Sequence, residues 1–340
     1  MTMRVSTVEG VTHRVEGDIT TLAVRAGASP AVAVGTSDGT CWWLEPASPT
    51  PLWATTDVDV PTGIAVHPRR DEVTLTGPRG YAIWRLGSEP DQHLDPGWSS
   101  AAAYAPSGDL AVAAGRTVAI HPYASPTLAA LYVSGSAPST ITDVAWTPQG
   151  NRVAASAYGG VYMYDGKAPK PVRTYPYQGS HLAVAVNPNR RWVCSGNQDA
   201  SVHIWRASNG DELQMSGFPL KVTRLAFDDT GRWMANNGAP DVAVWDFSGQ
   251  GPGGRAAQLL AGHDCVIDLD WRPGPGAVLA TVGTEGNVQI WAMTSTMIGQ
   301  RRLPVRTLEF EDALTVRWLG TDRLVVARAG GAVTIIDGTH

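Results

Sequence analysis

Apolar and polar positions alternate along nearly the whole chain in short runs, punctuated by Gly, Pro, Asn and Asp. That is the period-two signal of strands and tight turns, not of helices. One phrase recurs: small or apolar residues in alternation, a large anchor, then often a residue, a proline and a turn. The anchors are Val24, Val66, Tyr104, Trp146, Val186, Phe227, Trp271 and Trp318, spaced 42 residues apart on average. Ala precedes the anchor in six of the eight copies, and Asp270 and Arg317 are the exceptions. A small residue there lets neighbouring sheets approach closely. Two more β-like runs follow each anchor, as in 192–206, 232–247 and 277–292. A weaker fourth run comes next, as in 51–57, 255–263 and 304–310. Four strands per unit of this length predict the blades of a propeller. The expected fold is therefore all-β: one closed β-propeller of eight four-stranded antiparallel blades over residues 1–340, with seven blades as the alternative. The last copy ends at its third strand, 333–337. The run 11–16 is expected to supply the missing outer strand, closing the ring and removing two exposed edges. The longest interruption, 293–303, reads as a loop between the third and fourth strands of the seventh unit.

The residues at the ends of the third strands carry a resemblance. Trp245-Asp246 is a Trp-Asp dipeptide, and Trp205, Trp291, Tyr164-Asp165 and Ile336-Asp337 occupy the same place in other copies. Gly262-His263 is a Gly-His pair. With the period, these residues make the whole chain resemble the Trp-Asp (WD) repeat β-propeller family. The copies are degenerate, with His121 and Leu44 in Trp slots. The resemblance implies a buried hydrogen-bonded chain of His263, Thr281, Glu285 and Trp291 within one blade, with Glu285 standing where the family has Asp. The fifth copy keeps Ser195, Asp199 and Trp205 but lacks the His of the pair.

Composition narrows the class. A chain that is 43% hydrophobic with 13 Trp is not disordered. No run of 18 apolar residues predicts a membrane helix, and the first residues have no apolar core that would suggest a signal peptide. Three widely spaced Cys fit a reducing cytoplasm. A net charge of −5 argues against a general nucleic-acid binder. Only 3 of the 26 basic residues are Lys, which with abundant Ala, Gly and Pro suggests a GC-rich bacterial source.

The candidate chemistry is sparse. A Ser-His-acid set invites a hydrolase reading, but no Gly-x-Ser-x-Gly elbow exposes a nucleophile. The eight His form no metal-binding spacing, and GQGPGG at 249–254 precedes a strand rather than a helix. No catalytic residue, metal or cofactor is therefore expected. Asp143 and Asp268 occupy equivalent positions three before their anchors, with Arg224 at that position in the sixth unit. These three are expected near the central channel.

The function expected first is a non-catalytic protein-interaction scaffold, because loops on a rigid propeller make a broad surface and the family resemblance points the same way. The alternative is a propeller-bodied hydrolase, lyase or cyclase with its site at the channel mouth. A small-molecule or metal-binding sensor is third. Loops entering first strands and loops joining second to third strands should share the top face. Acids outnumber bases there, with Lys221 among the few bases. A basic protein segment is the expected partner, with no nucleic acid and no membrane insertion. Trp98, His181, Asp264, Glu311 and Asp312 are the expected contacts, with Asp143, Lys221, Arg224 and Asp268 beside them.

Overall fold

The structure is a computed structural model that describes residues 5–6, 10–48, 50–123, 132–293 and 301–338. Among these residues no α-helix occurs, and a short 3-10 turn at Ala329–Gly331 is the one helical element. The protein is an all-β propeller.

The first unit shows how local sequence builds a blade. Ile19–Arg25, Ala31–Thr36, Thr40–Leu44 and Leu52–Thr55 pair antiparallel in chain order. The turn between the second and third strands is fixed by Asp38. Its carboxylate accepts from Thr36 Oγ1 at 2.6 Å and from the Thr40 N–H at 3.1 Å. Gly39 follows at φ 82°, a conformation a side chain would strain, and a Cβ there would lie 2.9 Å from the Thr56 carbonyl. The second strand is buried throughout, and the outer strand is mostly exposed. A strand covered on both faces reads as a continuous apolar run rather than an alternation, and AVAVGT does so.

The inner strands pack in a ring. Ile19–Arg25 lies against Gly63–Val66, then come Ser99–Tyr104, Asp143–Trp146, Arg173–Val186, Leu225–Phe227, Val266–Trp271 and Ala313–Leu319, which returns to Ile19–Arg25. The core sits between adjacent units. Ala33, Trp43 and Val58 meet Val73, Leu75 and Ala82 at one such seam. Two anchors explain the small residue before the anchor position. Trp146 Nε1 donates to the Ala103 carbonyl at 2.9 Å, and Trp271 Nε1 donates to the Ala226 carbonyl at 3.0 Å. Each indole thus reaches the residue just before the preceding unit's anchor, and a bulky side chain there would hold the two sheets apart.

Hydrogen bonding joins the strands into seven sheets, which corrects the expected eight separate ones. The reason lies in two long strands. Val153–Tyr164 runs through what the repeat predicts as two strands, with an irregularity between Tyr158 and Gly160. Arg173–Val186 passes without a break from the outer edge of the fourth unit to the inner strand of the fifth. The result is one six-stranded sheet whose two ends pack on each other. Ala154, Val161, Met163 and Tyr175 face Val184, Val193 and Trp205.

Three outer edges carry added strands. Gly10–Arg14 pairs antiparallel with Ala332–Asp337, placing Val11 opposite Ile335. Val5–Ser6 pairs parallel with Arg306–Leu308, and Arg301–Arg302 pairs parallel with Gln258–Leu260. The interruption read at 293–303 therefore ends in a strand on the sixth unit's edge, while its residues 294–300 lie outside the described residues.

Candidate functional site at the channel mouth

The inner strands begin around a cavity of about 370 Å³ at the axis of the ring. Thr20, Thr62, Ser100, Thr142 and Thr315 contribute hydroxyls to its wall, and Asp143, Arg224, Asp268 and Arg317 contribute charge. Several hydroxyls bridge one inner strand to the next. Thr62 Oγ1 donates to the Ser99 carbonyl at 2.8 Å, Ser100 Oγ to Ile141 at 2.6 Å, and Thr142 Oγ1 to His181 at 2.5 Å. All three sit four residues before their anchors. The sequence carried this signal, a Ser or Thr at that position in five of eight copies, but the reading of the repeat stopped at the anchors.

Asp143 and Asp268 bridge seams in the same way. Asp143 Oδ2 accepts from the Val184 N–H of the next unit at 2.9 Å, and Asp268 Oδ2 accepts from the Val316 N–H at 3.2 Å. Their electrostatics differ. Burial raises Asp143 to a pKa of about 6, against the pull of the Val184 and Val144 N–H groups and of Arg224. Burial also pushes Asp268 upward, but the positive charges of Arg317 and Arg224, together with bonds from Thr315 and Val316, hold it below the ordinary carboxylate value. Arg317 Nη1 donates to Asp268 Oδ2 at 2.6 Å, and Arg224 Nε lies 3.5 Å from Oδ1. Asp270 accepts from the Trp318 N–H at 2.7 Å, and burial raises it to about 6.

The set in the seventh unit comes together as a chain. His263 Nδ1 bonds Glu285, and His263 Nε2 lies 2.8 Å from Thr281 Oγ1, to which Trp291 Nε1 donates at 2.9 Å. Thr281 is completely buried, so its hydroxyl has no route to a substrate. The fifth unit is assembled differently from its sequence reading. His181 Nδ1 lies 2.8 Å from Ser195 Oγ, filling from the inner strand the place for which no His was found. Asp199 instead accepts from Tyr177 and Ser201, and among the described residues the Trp205 indole N–H has no partner. His181 Nε2 faces the Tyr177 carbonyl at 3.2 Å rather than a carboxylate, and both His181 and Ser195 are fully buried. That geometry organises a loop; it does not prepare a nucleophile.

The expected top-face contacts divide. Trp98 is 49% exposed, and Lys221, Arg224, Asp264 and Glu311 are exposed. His181 is fully buried, which removes it as a surface contact. Asp268 is also buried, bridging the seam between the seventh and eighth units. Asp312 is engaged by Arg328 at 2.7 Å. The reading of the sequence noted Arg317 and Asp270 as the two exceptions at the Ala position but gave neither a place in the site, and it missed Trp53, which is 60% exposed on an outer strand.

A family model described as WD domain, G-beta repeat matches residues 169–206. That span takes the outer strand of the fourth unit and the first three strands of the fifth. The chain is a WD-repeat β-propeller. The match falls on the stretch where a WD repeat of this propeller passes unbroken between two units along Arg173–Val186. A search of curated proteins finds no match to this WD-repeat chain. No helix among its described residues is long and apolar enough to cross a membrane.

Proposed function

We propose that this WD-repeat propeller is a non-catalytic interaction scaffold whose top face binds a basic protein segment. The observation that carries the reading is the set of exposed acids in the top loops: Glu16, Asp18, Asp57, Asp59, Asp95 and Asp264, with Trp98 exposed beside them. WD-repeat propellers are commonly used for protein–protein interaction. An exposed Trp amid acids suits a cationic chain, through charge and through its ring face.

The same proposal takes residues 1–340 as one domain in a reducing, cytoplasmic setting, and counts eight blades. Support for that count comes from the two ends of the six-stranded sheet, each of which has its own inner strand and packs face to face on the other. Support for the setting comes from Cys41, Cys194 and Cys265, all unpaired.

The test uses a fluorescent arginine-rich peptide and the full chain. Binding should weaken as salt rises, because exposed charges are screened beyond about 10 Å at 0.1 M. Reversing Asp264 and Glu311 to Lys should weaken it by about tenfold or more, largely through slower association. Unchanged affinity in that variant would remove the top face as the docking surface.

A further inference from the structure

A second polar groove lies at the opposite end of the ring, under the seam between the fourth and fifth units. It encloses about 470 Å³, and three arginines, Arg152, Arg173 and Arg190, reach its wall. No Asp or Glu is among the residues that line it. None of the three guanidiniums makes an ion pair with a carboxylate among the described residues. Elsewhere Arg25, Arg85, Arg224, Arg232, Arg255, Arg317 and Arg328 do pair with acids.

Two of the three are held in place. Arg173 Nη1 donates to the carbonyls of Ala207 at 2.7 Å and Ser208 at 3.0 Å, and its guanidinium lies over the Tyr175 ring at 5.2 Å. Arg190 sits at φ 66° on the turn after the inner strand. The Gln149 amide oxygen, in the orientation that satisfies both groups, accepts from its Nη1 at 2.5 Å and its Nε at 2.9 Å. These bonds go to neutral acceptors, so they orient the guanidiniums and leave the positive charge uncompensated. Arg152 is exposed at the rim, and its side chain has no bonded partner among the described residues. Each guanidinium has five N–H donors in a planar fork, which leaves several free to face the groove.

We propose that this groove binds a phosphate monoester. Three fixed or nearby positive charges match a dianion better than a single carboxylate, and planar forks pair with tetrahedral phosphate oxygens through two parallel N–H donors. Tyr175 and Met163 form an apolar floor, so the organic body of the ester has a surface to lie on. The phosphate could be carried by a phosphorylated side chain or by a small metabolite, and the chemistry is the same in both.

The experiment is calorimetric titration of the full chain with phenyl phosphate, with phenyl sulfate as the monoanionic control. Phenyl phosphate should bind, and more tightly at pH 7 than at pH 5, because the second phosphate proton leaves near pH 6. The double variant Arg152→Gln, Arg190→Gln should lose about tenfold or more in affinity, roughly the effect of removing two charge-assisted bonds. It should leave the top-face peptide affinity unchanged. Because Arg190 bonds Gln149 across the seam between the fourth and fifth units, the single variant Arg152→Gln, which breaks no side-chain bond, should weaken phenyl phosphate binding while leaving the thermal melt unchanged. Parallel titrations with adenosine monophosphate and with a phosphoserine tripeptide separate the two sources. Binding of either that disappears in the double variant supports the site. Failure of all three phosphates to bind, phenyl sulfate binding as well as phenyl phosphate, or affinity untouched by the double variant would overturn it.

Discussion

Two seams of the ring place an Asp at the same repeat position and give it the same backbone task, yet surround it with opposite electrostatics. Between the fourth and fifth units, Asp143 accepts from Val184 and has only Arg224 as a positive influence. Between the seventh and eighth, Asp268 accepts from Val316 while Arg317 and Arg224 face its two oxygens. Arg317 belongs to the one copy in which the residue before the anchor is Arg. The repeat position therefore fixes what the carboxylate does for the backbone. The neighbouring copy's irregular residue shifts the pH at which it gains its charge. In a repeat protein, a substitution in one unit tunes a group whose sequence context lies in another.

The largest effect should come from removing residues 1–17. Their strand Gly10–Arg14 completes the sheet that carries Arg317, so the charged seam would lose its support along with the closing edge. The truncated chain should aggregate or unfold at much lower denaturant, read by light scattering and urea titration. A truncation that melts like the full chain would show that the two seams do not depend on closure.

Next comes Asp268→Ala, which takes the ion-pair partner from the half-buried Arg317 and the acceptor from the Val316 N–H, leaving Asp270 as the carboxylate that acts on Arg317. Loss of these charge-assisted bonds should cost about 2–4 kcal/mol, whereas Asp143→Ala should cost about 1–3 kcal/mol through its orphaned N–H groups. Urea midpoints measure both. Equal losses would erase the difference between the seams.

A smaller loss is expected from His263→Ala, which sits in the seventh unit but outside the seam. Its Thr281 and Glu285 partners are left unsatisfied, at about 1–3 kcal/mol. It calibrates how much of the Asp268 effect is charge and how much is one lost hydrogen-bond network. A variant as stable as the parent would show that solvent satisfies those groups.

The finest test is a pH slope. Folded Asp143 keeps its proton up to about pH 6, while its ordinary value is 3.8. Between those values the folded state binds more protons, so this group's contribution falls as pH rises from about 4 to 6, at up to about 1.4 kcal/mol per pH unit. Asp143→Asn removes that slope, so the variant should gain on the parent across this window and run level with it above. Asp268 has the reverse sign, since its lowered pKa gives stability that is lost as pH falls through the acid range. Parallel stability curves for parent and Asp143→Asn would contradict the raised value.

The alternating runs, the anchors and the Ala before them were enough to read an all-β propeller and its repeat length from the sequence. They succeed because a strand buried between two sheets must be apolar on both faces, and turns must carry Gly, Asp or Asn wherever the chain reverses. The His263–Thr281–Glu285–Trp291 chain was expected only because the family resemblance implies it; Thr281 and Trp291 lie on paired strands of one hairpin, and His263 reaches them from the loop before the inner strand. His181 was misread because its partner, Ser195, lies across a strand pair with an irregular register between His181 and Ala183, so no spacing rule placed the imidazole inward.

The sequence by itself determined the period, the strand order within each unit and the residues that fill the seams, since all of these follow from local alternation and turn chemistry. Only the tertiary structure decided that Arg173–Val186 would run unbroken between two units, that Arg301–Arg302 would add to the sixth unit's edge, and that Arg152, Arg173 and Arg190 would meet in one groove. Each of these joins residues of different units. Their meeting depends on how far each unit is rotated about the axis, a quantity set by all the seams together and written in no single repeat.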